Sequence, residues 1–330
     1  MALSSGNGIA SLASWLAEHG RPHTILVMGK GGVGKTTVSI MLARVLSDYG
    51  SVLVESLDQA MHLLEYLGLP GKHREYRVRE NLYAKQFDLE VEIKKLGEHY
   101  SLLVKQIIPG LKVLNAEDAA DMLKYAPGFE EEVYLRELLN LYKNGRYDFI
   151  IIDTPPTGLT LRMLNMPRLY RFWIDKLISL RERIVSLRYV IARTVGMKYE
   201  PDDPVLKRLY RMKDEYEWLA EMLASEERTS FALVATPEAL PVYEARKTAE
   251  FLRSIGARPK IMVANRILDA EIAEKIGVLE SQSKNLASLE SIECCGPCAR
   301  LYIPQSPTIP SSLEAVEKLA PQAKVTIIGE

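Results

Sequence analysis

Short, continuous apolar runs separated by longer stretches of helical periodicity dominate the pattern of this chain. The runs are Thr24–Met28, Val52–Glu55, Tyr147–Asp153, Phe231–Thr236, Lys260–Asn265 and Val325–Gly329. Strands that are apolar on both sides belong to a parallel sheet covered on both faces. Between the first two runs, Val38, Met41, Leu42, Val45 and Leu46 recur at helical spacing and Gly50 closes the segment, which makes a βαβ unit. Asn81–Asp88 alternates as a less buried strand does, and Leu301–Ile303 reads as another strand. The alternation of strands and helices predicts a doubly wound, mostly parallel α/β sheet with its ligand at the carboxyl edge.

Two helical insertions interrupt this plan, at about 89–126 and 160–229. They divide a domain that spans 22–330 and follows an N-terminal segment, 1–21. In the first insertion Val91, Leu96, Tyr100, Leu103 and Ile107 fall at roughly helical intervals. In the second, Leu169, Trp173, Leu177, Leu180, Ile184, Leu187 and Ile191 form one apolar stripe. A break with Gly196 and Pro204 follows, and then Val205, Leu209, Met212, Tyr216, Leu219 and Leu223 repeat the stepping, as in a helical hairpin. Phe172, Ile174, Ile178, Val185 and Val190 lie off the stripe, so the first helix is apolar on more than one face. From Thr160 to Glu200 nine Lys or Arg stand against three Asp or Glu. The pattern is compatible with two helices packed on each other and the sheet. It is equally compatible with an apolar groove, rimmed by basic residues, that receives a hydrophobic helix or a membrane surface.

Composition narrows the class. The 330 residues are 47% hydrophobic with a formal net charge of -1, enough for a substantial core and without a bias toward nucleic acid. Met1–Gly20 lacks the basic start and unbroken apolar core of a signal peptide, and no stretch reaches the length of a membrane span, so the chain is expected in the cytoplasm. The three cysteines all fall between Cys294 and Cys298, which excludes a disulfide framework. His19, His23, His62, His73 and His99 show no metal-ligand spacing.

The chemistry begins immediately after the first apolar run. Gly29, Lys30, Gly31, Gly32, Val33, Gly34, Lys35, Thr36 and Thr37 are consecutive and contain G-x-x-x-x-G-K-[ST], a phosphate-binding loop of the P-loop NTPase type. Glycines let backbone amides wrap phosphate oxygens, and the next helix N-terminus adds favourable partial charge. Lys35 is expected to hold the β/γ-phosphates of ATP and Thr36 its Mg2+. Asp153 closes a buried strand before Thr154-Pro-Pro-Thr-Gly158, where a carboxylate can bind the water shell of Mg2+ and the loop can sense the γ-phosphate. Asp58, in Ser56-Leu-Asp58, is a candidate to orient or deprotonate the attacking water, with Glu55 the competitor.

These residues resemble the arsenical-pump ATPases and the guided-entry factors that target tail-anchored membrane proteins. Asp153-Thr-Pro-Pro-Thr-Gly-Leu-Thr-Leu-Arg162 is similar to the family's second switch, D-T-A-P-T-G-H-T-L-R. Asn81–Asp88 resembles its N-L-x-A-x-x-x-D strand, and Pro127-Gly-Phe-Glu-Glu131 its P-G-x-x-E segment. Thr236-Pro-Glu-Ala-Leu240 and Val263-Ala-Asn-Arg266 are similar to the later P-E-x-L and V-x-N elements. The resemblance covers most of 24–266 and is closer to the single-half targeting factors. It implies an ATPase that works as a homodimer, with Lys30 reaching the partner's nucleotide, Asp58 placing the hydrolytic water and Asn265 contacting adenine. Closure on ATP would move the inserted helices, which in the targeting factors form the groove for a hydrophobic membrane-protein segment, delivered to a membrane receptor. The first switch departs from the family's S-T-D-P-A-H, reading Ser56-Leu-Asp-Gln-Ala-Met61, and Leu159 replaces the second-switch histidine.

Cys294-Cys-Gly-Pro-Cys298 admits three ligand chemistries. By resemblance, Cys295 and Cys298 would supply half of an interfacial Zn2+ site. The tetrapeptide is also similar to the thioredoxin active site, and three thiolates suit a trivalent metalloid. Two principal functions therefore stay open: delivery of tail-anchored segments, and the ATPase subunit of an arsenite or antimonite efflux pump. A partition or septum-positioning ATPase is a third, although such relatives generally lack the long helical insertion.

Overall fold

A computed structural model of the protein describes residues 8–60, 62–71, 74–107, 128–196, 202–294 and 296–329. The chain divides into two compact units, one comprising 1–89, 140–161 and 223–330, the other 90–139 and 162–222.

The first unit is built on a nine-stranded sheet in the order β3-β4-β2-β5-β1-β6-β7-β8-β9. Its centre is β1 (His23–Met28), flanked in parallel by β5 (Phe149–Asp153) and β6 (Thr229–Ala235). β2 (Val52–Ser56) and β4 (Leu82–Gln86) extend one side in parallel, β7 (Pro259–Ile267) and β8 (Cys298–Pro304) the other. Every residue of β1, β2, β5 and β6 is buried, which explains the apolar run at the centre of each. The chain leaves β1 for β2 across β5 and leaves β5 for β6 across β1. The order thus reverses beside β1, opening a crevice at its carboxyl end.

Both edges are antiparallel. β3 (Glu75–Arg79) pairs with β4, and β9 (Lys324–Ile328) pairs with β8. The run at 325–329 had the look of a buried parallel strand, yet it forms a partly exposed edge paired on one side. β3 left little signal because its five residues include three charged ones, as suits an edge exposed to water. In the N-terminal segment, α1 (Ile9–Ala17) buries Leu12, Ala13 and Leu16 in the main core, which also contains Met41 and Leu42 of α2 (Lys35–Leu46) and Leu63 of the short α3 (His62–Tyr66).

A histidine sits at the amino end of β1. His23 is fully buried, with Nδ1 2.8 Å from the Glu227 carbonyl and Nε2 2.9 Å from the Ser230 hydroxyl. A carbonyl only accepts, so Nδ1 carries the proton and Nε2 accepts from Ser230. The His19 ring lies 4.9 Å away, and Lys260 donates to His19 Nε2 at 3.2 Å. Burial, with His19, Lys260 and Arg228 nearby, pushes the His23 pKa down to about 4. The unfolded chain therefore takes up this proton first. Stability from His23 is complete above about pH 6.5 and is lost as pH falls toward 4, by about 3 kcal/mol. We expect the urea midpoint to fall more steeply over this range in the wild type than in His23→Asn. Parallel curves would overturn the assignment.

The second unit is helical, comprising most of α4 (Leu89–Ile107), α5 (Phe129–Lys143), α6 (Thr157–Thr194) and α7 (Pro204–Ala224). Asp203 caps α7 by accepting the Leu206 amide at 2.9 Å, and Arg181 of α6 donates to the same carboxylate through Nε and Nη2, at 3.1 and 2.8 Å to Oδ2. This bidentate pair fixes the hairpin's register and holds the Asp203 pKa low. Tyr216 of α7 stacks on Tyr170 of α6 and donates to Glu132 of α5 at 2.7 Å.

The apolar stripe of α6 points outward. Leu169, Trp173, Leu177, Leu180, Leu187 and Ile191 are each between 45% and 63% exposed, whereas Ile174 and Ile178, off the stripe, are buried. Among the described residues this face of α6 is uncovered, while α6 and α7 also pack on each other through Arg181–Asp203 and Tyr170–Tyr216. Of the first insertion, 108–126 lies outside the described residues.

Candidate nucleotide-binding site

The loop after β1 sits at the crevice, and its backbone explains its glycines. Gly29, Gly32 and Gly34 have φ of 157°, 84° and 92°, the last two in the left-handed region that disfavours a side chain. A Cβ on Gly29 would collide with the Val234 carbonyl, and one on Gly34 with Nδ2 of Asn265. Asn265 packs this closely because its Nδ2 donates to the Val33 carbonyl at 2.8 Å, while its Oδ1 accepts the Arg266 amide at 2.9 Å. The residue expected at adenine thus also clamps the phosphate loop from β7.

A cleft of about 350 Å3 opens over the loop, lined by Gly31, Gly32, Gly34, Lys35, Thr36 and Thr37. Asp58, Asn265 and the Pro304–Pro310 segment complete its walls. Lys35 begins α2 and is buried. The other loop lysine behaves differently. Lys30 does not line the cleft, and its side chain makes no hydrogen bond or ion pair among the described residues.

Asp153 ends β5 next to the loop. Its Oδ2 accepts the Thr36 hydroxyl at 2.7 Å and the Ser56 hydroxyl at 3.4 Å, while the buried Oδ1 has no hydrogen-bond partner among the described residues. Burial raises its pKa to about 6, against the opposing effects of Thr36 and Lys35. An orphaned carboxylate oxygen beside a hydroxyl that gives its proton away, leaving lone pairs free, is the hard oxygen set that Mg2+ prefers. The residues fit the ion: Thr36 and Asp153 would hold it, and it would supply neutralisation of phosphate charge.

Of the two candidate bases, Asp58 faces the cleft. Glu55 is fully buried beside Lys85, its cross-strand partner, with Nζ 2.8 Å from Oε1. Asp58 is shaped by a short turn in which its amide donates to Ser56 Oγ at 3.3 Å and its Oδ1 accepts the Ala60 amide at 3.2 Å. In the second switch, Thr154 Oγ1 donates to the Val27 carbonyl and Thr160 Oγ1 to the Pro155 carbonyl, which folds Thr154–Thr160 against the sheet.

Sequence reading missed Ser56 and Gln86. Both are polar at buried strand positions where apolar residues belong, and that anomaly is the signal that could have exposed them. The cysteines lie apart from this cleft, at the start of β8. Cys294 and Cys298 are both buried free thiols, and a hydrogen bond from Cys294 together with Arg300 lowers the Cys298 pKa. Cys295, the other half of the expected Zn2+ pair, lies outside the described residues. Among those described, no cluster of three or more metal-binding side chains occurs.

Comparison with known proteins agrees with this geometry. The model of the anion-transporting ATPases matches residues 22–295. A protein of Aquifex aeolicus named "Putative arsenical pump-driving ATPase 1" is 29% identical over 313 residues, covering 90% of this chain and 77% of its own length. "ATPase GET3A" of Arabidopsis thaliana is 31% identical over 258 residues, covering 76% of this chain and 69% of its own. "ATPase ASNA1 homolog 1" of Paramecium tetraurelia is 29% identical over 255 residues, covering 74% of each chain. Because the family match runs through the phosphate loop, both switch strands and β7, the chain belongs to the anion-transporting ATPases and hydrolyses ATP.

Proposed function

We propose that two copies of this chain close over ATP and use the cycle of closing and opening to bind and release hydrophobic membrane-protein segments of the tail-anchored kind, in the cytoplasm. The carrying observation is the outward stripe of α6, since apolar patches of this extent mark interaction surfaces. Arg168, Arg171, Lys176, Arg183, Arg188 and Arg193 of the same helix are each at least partly exposed, which suits a segment whose flanks meet anionic headgroups. Relatives named for targeting factors add support.

In the cycle, the loop amides and Lys35 hold the phosphates, and Asn265 meets the adenine. Asp58 orients water for attack on the γ-phosphorus, and Lys30 reaches the neighbouring copy's phosphates. No helix among the described residues is long and apolar enough to cross a membrane. Site-specific photocrosslinkers at Trp173 and Leu187 should capture a tail-anchored helix in a nucleotide-dependent manner. Equal absence of capture with and without ATP would refute the reading.

The alternative is the ATPase of an arsenite or antimonite pump, favoured by the adjacent Cys294 and Cys298 thiols and by the Aquifex relative. Antimonite should then raise ATP turnover in the wild type and leave Cys298→Ser unaffected.

A further inference from the structure

The end of β4 holds a side chain that the catalytic reading leaves unused. Gln86 is 1% exposed, at a position where the preceding inward residues of its strand, Leu82 and Ala84, are apolar. Burying an amide there is unfavourable unless its donors are satisfied. Its Nε2 donates to the Ser56 carbonyl at 3.2 Å and to the Asp58 carbonyl at 2.7 Å, one hydrogen to each, and so straddles Leu57. The backbone ladder between β2 and β4 ends beside it, where the Phe87 amide donates to Ser56 at 3.0 Å. Gln86 therefore carries the sheet's hold two residues past the end of β2, into the turn that presents Asp58.

We infer that Gln86 is a positioning residue that sets where the Asp58 carboxylate stands over the cleft. Gln86 does not line the cleft, so it acts through Asp58 and not on nucleotide. Two further bonds are internal to the turn: the Asp58 amide to Ser56 Oγ, and the Ala60 amide to Asp58 Oδ1. These shape the turn, while Gln86 ties its Asp58 end to β4, and the Leu57 amide, donating to the Asp153 carbonyl at 2.9 Å, and the Ser56 hydroxyl, donating to Asp153 Oδ2 at 3.4 Å, tie its other end to β5. Losing the Gln86 tether frees the Asp58 end of the turn while the Leu57 end stays attached.

The inference rests on the reading of Asp58 as the residue that places water, and the test separates the two. Gln86→Met keeps length and bulk without donors. Its kcat should fall by about 10- to 100-fold, the usual effect of loosening a support behind a reacting group, with KM for ATP and the melting midpoint nearly unchanged. In an Asp58→Asn background the same substitution should lower kcat no further, because two residues that act as one unit are not additive. Gln86→Leu serves as the second variant if the methionine form does not fold. Wild-type kcat in Gln86→Met, or an equal loss in both backgrounds, overturns the inference while leaving Asp58 in place. Wild-type kcat in Asp58→Asn alone removes the reading of Asp58, and the inference with it.

Discussion

Asp153→Asn is expected to stabilise the nucleotide-free protein while stopping its turnover. Burial raises the Asp153 pKa to about 6, above its unfolded value near 3.8. The folded chain thus holds this proton more tightly than the unfolded chain. The carboxyl favours folding fully below about pH 3.8, and that contribution disappears as pH rises through about 6. At neutral pH the buried carboxylate costs about 3 kcal/mol, a cost that asparagine removes while its side-chain oxygen still accepts from Thr36. Asparagine cannot, however, bring negative charge to Mg2+, and loss of such a phosphate clamp lowers kcat by about 100- to 1000-fold. Urea titration at pH 7 without Mg2+ or nucleotide should show the gain, and at pH 5 the gain should shrink. A less stable variant at pH 7 would show that the carboxylate is already compensated in the free protein.

Lys30→Ala should leave ATP affinity within a few-fold of wild type and reduce kcat by about 1000-fold. The reason is the contrast between the loop's two lysines: Lys35 is buried in the cleft wall, while Lys30 stands outside it without a partner among the described residues. In the proposed dimer, a cation placed in this way would contribute little to binding in its own chain and would act on charge developing in the neighbouring one. Mixing makes the distinction sharp. Lys30→Ala and Asp58→Asn should each be strongly impaired alone, but a mixed dimer would contain one site with an intact Asp58 and an intact Lys30 from the other copy. Random pairing of equal amounts should restore about a quarter of wild-type turnover, because half of the dimers are mixed and each has one working site. No restoration would place Lys30 in its own site.

The legibility of the fold followed burial. β1, β2, β5 and β6 are covered on both faces, so each carries an apolar run, with polar residues confined to its ends, and could be located without a structure. β3 and the direction of β9 could not, because an edge strand is shaped by one neighbour and by water. In α6 the spacing of Leu169, Trp173 and Leu177 placed them on one face, but periodicity carries no information about what covers a face, and here that face is open. The phosphate loop was readable because its chemistry demands glycine at positive φ and a lysine at the helix start. Gln86 was not, since its role exists only once β4 lies against β2 and brings it to a turn some 30 residues earlier in the chain.

An outward-facing row of leucine, tryptophan and isoleucine makes an idle copy adhesive. Exposed apolar surface of this kind favours self-association, so uncovered copies should stick to one another as their concentration rises. Light scattering of the purified protein should therefore climb steeply with concentration and subside when detergent is added.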